Sequence, residues 1–148
     1  MAKKFNPEKR VKYLMHKAMR ATKVDPKGEY LIGMAKKMSK KQTKPERIFE
    51  SILKELSIKY EQQKIVGGKI YDFYLIDLNL LFEIHGNYWH AKDLEMNEMN
   101  GIQQRSVKND YYKESIARAY GYQFEYLWES ELENNYEGCK IKVRSLFD

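Results

Sequence analysis

The chain has 148 residues, a net charge of +6, 43% hydrophobic and 32% charged residues. That is one ordinary domain's worth of polypeptide with enough apolar content for a core, which excludes a disordered tail. No run nears the ~20 apolar residues of a membrane span, and Met1–Phe5 has no apolar stretch behind its lysines of the kind a secretory signal needs. The single cysteine, Cys139, excludes an internal disulfide framework and a multi-cysteine zinc site. It points to a reducing, cytoplasmic setting.

Charge is segregated along the chain. Residues 1–44 hold 14 Lys+Arg against 3 acids, a net +11; residues 45–148 hold 13 basic and 18 acidic residues, a net −5. A basic arm before a mildly acidic body is the pattern expected of a polyanion binder, and nucleic acid is the commonest polyanion.

In chain order, helical spacing of Val11, Leu14, Met15, Ala18 and Met19 predicts a helix over 7–22, capped by Asn6. Asp25-Pro26-Lys27-Gly28 reads as a turn, 29–38 as a short helix, and Ser39-Lys40-Lys41-Gln42 as a polar linker. Such an arm buries little by itself and is expected to order against a partner. The body, 43–148, opens with a capping box, Thr43 with Glu46 at N3, and Pro45 in the first turn. Ile48, Phe49, Ile52, Leu53 and Leu56 form one apolar stripe.

Strands are predicted over 58–66, 69–76 and 80–85, the last two as a hairpin. A two-residue loop places Asp72 opposite His85; a three-residue loop places it opposite Ile84. A polar loop over 91–100 precedes a helix over 103–120, with Val107, Tyr111, Ile116, Ala117 and Tyr120 on its buried side and Gly121 as its stop. A strand over 122–128, a short helix from Ser130 and an amphipathic C-terminal segment complete an α/β chain.

Chemistry concentrates in Leu81–His90. Two of the three histidines, His85 and His90, lie there beside Glu83, where an apolar strand opens into a Gly-Asn turn. Asp72 interrupts the neighbouring strand, a costly position unless it is paired or bound to a cation. Converging carboxylates suit a hard divalent cation, and a histidine beside a phosphodiester can take or give a proton. Each residue also has a plainer reading. Glu46 is explained by its capping box, Asp110 by an i,i+3 pair with Lys113, and Tyr88-Trp89 by a place in the core.

The stretch Phe82–His90 resembles the His-Gly-x-aromatic-Trp-His signature of very short patch repair endonucleases, of the PD-(D/E)XK nuclease superfamily. The resemblance runs in order over 43–132: Thr43–Glu46, Tyr71-Asp72-Phe73, His85–His90, Asn109-Asp110, then Gly121-Tyr122 and Leu127-Trp128-Glu129. It extends to related homing endonucleases that share the Glu, Asp, His, Asp set. The resemblance implies a restriction-endonuclease-like domain, a central mixed sheet of about four strands flanked by helices, cleaving duplex DNA with Mg²⁺, or Mn²⁺ in its place.

By the same resemblance Asp72 binds the metal, His85 lies beside it, and His90 is the general base or acid, oriented by Asp110. Glu46 positions water or supports the groups that hold the metal, and Tyr88 and Trp89 act as wedges between base pairs. The arm, 1–42, has no counterpart in the resemblance, and on charge alone its Lys9, Arg10, Lys12, Lys17 and Arg20 are expected to grip the duplex. Two readings of Glu83 follow. Glu83-Ile84-His85 resembles the superfamily's Glu-x-Lys and makes Glu83 a second metal ligand, the favoured reading; the repair pattern gives that contact to the Ile84 carbonyl. The repair enzymes' structural zinc lacks its ligands here, since one cysteine and no histidine after His90 are present. Small size and the missing zinc favour a phage or mobile-element homing enzyme over a mismatch-directed repair nickase. A non-catalytic DNA-binding module and an RNA-processing nuclease are the readings from other classes. A homodimer is one way to obtain two cuts.

Overall fold

The computed structural model describes residues 5–24, 29–38 and 41–148. The predicted turn at 25–28, Ser39-Lys40 of the linker and the first four residues lie outside the described residues. The elements are α1 (Pro7–Val24), α2 (Glu29–Met38), α3 (Lys44–Glu55), β1 (Tyr60–Val66), β2 (Lys69–Leu75), β3 (Leu80–His85), α4 (Gly101–Ala119), β4 (Gln123–Trp128), α5 (Glu129–Asn134) and α6 (Tyr136–Ser145). No helix among the described residues is long and apolar enough to cross a membrane.

The four strands form one sheet in the order β1-β2-β3-β4. β1, β2 and β3 are antiparallel neighbours, and β4 joins β3 in parallel, so α4 serves as the crossover. This is the α/β architecture expected: a four-stranded mixed sheet flanked by helices.

One sheet face carries the main core. Phe49 of α3, at the centre of the predicted stripe, stacks on Phe82 at 4.4 Å and meets Phe73 edge-on at 4.9 Å. Leu75, Leu80, Leu127 and Leu132 close around them, with Cys139 and Val143 of α6 beneath. Such aromatic packing is why Phe49→Ala would cost about 3–5 kcal/mol. α3 starts as its sequence dictates: Thr43 Oγ1 accepts from the Glu46 amide at 3.4 Å, and Glu46 Oε2 accepts from the Thr43 amide at 3.1 Å.

The other face packs Leu81 and Phe124 against Ala117 of α4, and Ile116 and Tyr112 of α4 against Val11 of α1. The basic helix is therefore seated on the body. Its cap is the predicted one, the Lys9 amide donating to Asn6 Oδ1 at 3.1 Å. The buried side of α4 differs from the expectation. Tyr111 and Tyr120 are 47% and 40% exposed, while Tyr112, one position on, is buried. Gln103 is buried on that helix too, so polar residues occupy part of the inward face and mask its period.

The hairpin register also differs from both expected ones. Phe73 faces Phe82, and Leu75 faces Leu80. The connection is a 3-10 turn, Ile76–Leu78, followed by Asn79 in the left-handed region at φ 49°. These four loop residues shift β3 so that continuing the register sets Asp72 level with Glu83, not with Ile84 or His85.

Candidate active site

β2–β3 pairing ends at Phe73–Phe82. Beyond it, the Asp72 carboxylate takes over from the ladder: its Oδ2 accepts from the Ile84 amide at 2.9 Å. That bond explains how an Asp is tolerated inside a β run. Ile84, whose carbonyl is the backbone ligand expected in the repair pattern, thus adjoins Asp72 through its N–H.

Glu83 is buried and points to the α4 side, where it forms an ion pair with Lys113 and lies close enough to Asp72 to feel its charge. Burial pushes its carboxyl well above the usual range; Lys113 opposes the shift and the Asp72 charge adds to it. Lys113 is itself fixed from two sides. Its carbonyl accepts from the Tyr71 hydroxyl at 2.6 Å, and its ammonium stands over the Tyr71 ring at 4.9 Å. Lys113 therefore pairs with Glu83, and the i,i+3 pair with Asp110 is not formed. Glu46 completes this group. Burial, and next the Asp72 charge, raise its carboxyl above the ordinary value, so it serves its capping box while facing Asp72.

A second cluster lies at the end of β3. His85 is buried. Its ring is sandwiched between His90, centroids 4.2 Å apart and 3° from parallel, and Tyr126 of β4, at 4.5 Å and 17°. Trp128 meets it edge-on at 5.4 Å. Burial lowers the His85 imidazole to about 4; Asp110 opposes this shift, and His90 and Lys113 add to it. His85 is neutral at physiological pH.

His90 sits in the turn after Gly86, which is closed by the His90 amide donating to the Gly86 carbonyl at 3.0 Å. The turn is anchored by Glu129, whose Oε1 accepts from the Asn87 amide at 2.9 Å, and by Gln103, whose side chain donates to the Tyr88 carbonyl at 3.0 Å. His90 Nδ1 lies 2.5 Å from Asp110 Oδ2, and His85 Nε2 lies 4.0 Å from Asp110 Oδ1. One ligand atom from each of His85, His90 and Asp110 falls within a 4.8 Å span, a set that could hold a metal ion.

Two imidazoles and a carboxylate favour a borderline ion, whereas Asp72 with Glu83 favours a hard one. The expected site residues thus form two adjoining groups, Glu46–Asp72–Glu83 and His85–His90–Asp110. Tyr88 and Trp89 project from the intervening turn, 57% and 56% exposed, so they are surface residues and not core. Lys9, Arg10, Lys12, Lys17 and Arg20 are all exposed on α1.

Lys113, Tyr126 and Glu129 escape the sequence reading as site residues. Lys113 left a signal: it stands three residues after Asp110 and three before Ile116, on the inward face of α4. Glu129 left one in the Leu127-Trp128-Glu129 block, and Tyr126 left none beyond its place near the end of the last strand.

No protein-family model and no curated protein matches the chain. Among solved structures, it is similar to the catalytic domain of the homing endonuclease I-Bth0305I, at 28% sequence identity and a TM-score of 0.52. The likeness covers 72% of this chain and 95% of that one.

Proposed function

We propose that the chain is a divalent-metal-dependent endonuclease that hydrolyses phosphodiester bonds in duplex DNA. The observation that carries the reading is the His90–Asp110 pair stacked on His85, beside the Asp72 and Glu83 carboxylates, in a chain similar to a homing endonuclease catalytic domain.

The donors fit a metal. Asp72 and Glu83 bring two carboxyl groups near one another, and burial together with the Asp72 charge resists ionising Glu83 beside it. Carboxylate oxygens suit Mg²⁺ or Mn²⁺. When bound, such an ion polarises the phosphate and stabilises the leaving oxygen. Asp72 and Glu83 would hold it, with the Ile84 carbonyl as a third donor, and Glu46 would orient water beside Asp72.

His90 does the proton work. With Nδ1 engaged by Asp110, Nε2 is the nitrogen that accepts a proton from water or returns one to the leaving oxygen. His85 is a neutral, immobile plate that fixes the His90 ring. Tyr88 and Trp89 would insert between base pairs, a role their exposure at the edge of the site supports. The arm, residues 1–42, supplies sequence-independent affinity through Lys9, Arg10, Lys12, Lys17 and Arg20. The likeness to a homing endonuclease catalytic domain supports a homing-type role, and a setting in phage or mobile-element DNA, within a bacterial cytoplasm, is part of the same proposal.

A panel of duplex DNA, single-stranded DNA and RNA, each with Mg²⁺, Mn²⁺ or EDTA, tests the reading. Metal-dependent cleavage of the duplex is expected. Preferential cleavage of RNA would reassign the substrate, and binding without cleavage of any substrate would leave a DNA-binding module.

A further inference from the structure

A cleft of about 320 Å³ opens where α1 and α2 cross the β1–β2 turn, lined by Lys17, Tyr30, Lys37, Gly68 and Lys69 among others. It is built, not incidental. Gly67 and Gly68 make the turn at φ 56° and 76°, a conformation that glycine adopts without strain. A Cβ at Gly68 would lie 2.9 Å from the Ala18 Cβ and collide with the Tyr30 hydroxyl, so both helices press directly on the turn. A second cleft of about 200 Å³ shares Met34, Lys37, Gly68 and Lys69 with the first and runs on to Asn109 and Lys113. Lys113 is the partner of Glu83, so the groove leads from the arm to the carboxylates.

The lining is one-signed. No acidic side chain lines either cleft among the described residues, while Lys17, Lys37, Lys69 and Lys113 do. Lys69 is the centre. Its ammonium donates to Asn109 Oδ1 at 2.7 Å, a neutral acceptor that positions the charge without cancelling it. Burial lowers its affinity for a proton, and the cations Lys113, Arg10, Lys37 and Lys17 lower it further. A desolvated lysine facing other cations is unfavourable alone and favourable around an anion. A scattering of solvated surface lysines would lack both the cleft and the Asn109 clamp.

We infer that this groove binds a backbone phosphate of the DNA duplex, held by Lys17, Lys37 and Lys69, on the strand that continues towards Asp72 and Glu83. The assignment rests on the nuclease reading for the source of the phosphate. The chemistry itself, a phosphate oxygen among three ammonium groups, is shared with free phosphate.

Two measurements on the full chain separate these sources. In the first, inorganic phosphate is titrated into ¹⁵N-labelled protein. The Gly67, Gly68 and Lys69 amides should shift, and the shift should vanish in a Lys37→Gln/Lys69→Gln variant; unmoved amides at this turn would overturn the site. In the second, duplex affinity is measured against salt in an Asp72→Asn background that does not cut. The double variant should lose about tenfold or more in affinity at low salt and lower the slope of log K against log salt by ~1–2.

An unchanged slope in a protein that binds duplex would overturn the DNA assignment. Failure of the parent to bind duplex at all would instead sink the nuclease reading, while the phosphate titration still decides the groove. Because removing either lysine relieves repulsion, melting temperature should hold or rise. A fall would mean that the lysines support the fold and not a ligand.

Discussion

The His90 imidazole is held on two sides at once: its Nδ1 lies 2.5 Å from Asp110 Oδ2, and its face stacks at 4.2 Å on buried His85. The carboxylate selects the tautomer that leaves Nε2 without a proton, and the stack fixes the plane of the ring. Asp110→Asn would keep the shape and invert the preferred tautomer. It should lower kcat about 10²–10⁴-fold with little change in DNA affinity, measured by single-turnover cleavage beside equilibrium binding. Equal losses in both would make Asp110 a binding residue.

The Glu83–Lys113 pair is almost wholly removed from water, with side chains 7% and 14% exposed. Lys113→Met strands a buried carboxyl and should cost about 3–5 kcal/mol in urea unfolding without metal. Glu83→Gln with Lys113→Met should cost clearly less than the sum of the two single changes. Additive losses would mean that the two side chains do not interact.

His85 offers a direct reading of burial. Its imidazole is lowered from 6.5 to about 4, so the folded protein resists a proton that the unfolded chain accepts. The sign follows: this histidine's contribution to stability is complete above about 6.5 and is lost as the pH falls towards 4. In metal-free protein, ring ¹⁵N shifts of His85 should stay those of a neutral imidazole at pH 5–6, with a midpoint about 4. A midpoint near 6.5 would mean that the ring is open to water.

Trp89 is 56% exposed, so Trp89→Ala should change folding stability by no more than about 0.5 kcal/mol. The same change should reduce the fluorescence of 2-aminopurine unstacked at the bound site. An unaltered signal would show that Trp89 does not enter the duplex.

The elements most legible in the sequence are those whose signal is local. The Thr43–Glu46 box and the stripe through Phe49 are written within a dozen residues, and α3 forms where they place it. The hairpin register is not legible, because Ile76 reads as the last strand residue while the chain folds Ile76–Leu78 into a 3-10 turn that ends on left-handed Asn79. The phase of α4 is hard to read at Tyr111-Tyr112, since Tyr111 follows Val107 by four residues while Tyr112 precedes buried Ile116 by four, and the inward face also carries Gln103 and Lys113.

The two histidines stand out in the sequence by their spacing, whereas Asp110 and its pairing with His90 are legible only through the family resemblance, because Asp110 lies 20 residues from His90 and reaches it through the parallel crossover from β3 to β4. Glu83 could be noticed, but its partner came from another element.

The most direct measurement incubates the protein with a supercoiled plasmid library carrying genomic and phage inserts, with Mg²⁺ or EDTA, beside Asp72→Asn. The inserts supply rare target sites, and the Asn side chain keeps an oxygen for the Ile84 amide. Relaxation or linearisation that requires Mg²⁺ and falls at least about 10²-fold in the variant is the predicted result, nicked and linear products reporting one cut or two. Cleavage that persists in EDTA, or that Asp72→Asn performs at the parental rate, would contradict a metal-dependent centre built on Asp72.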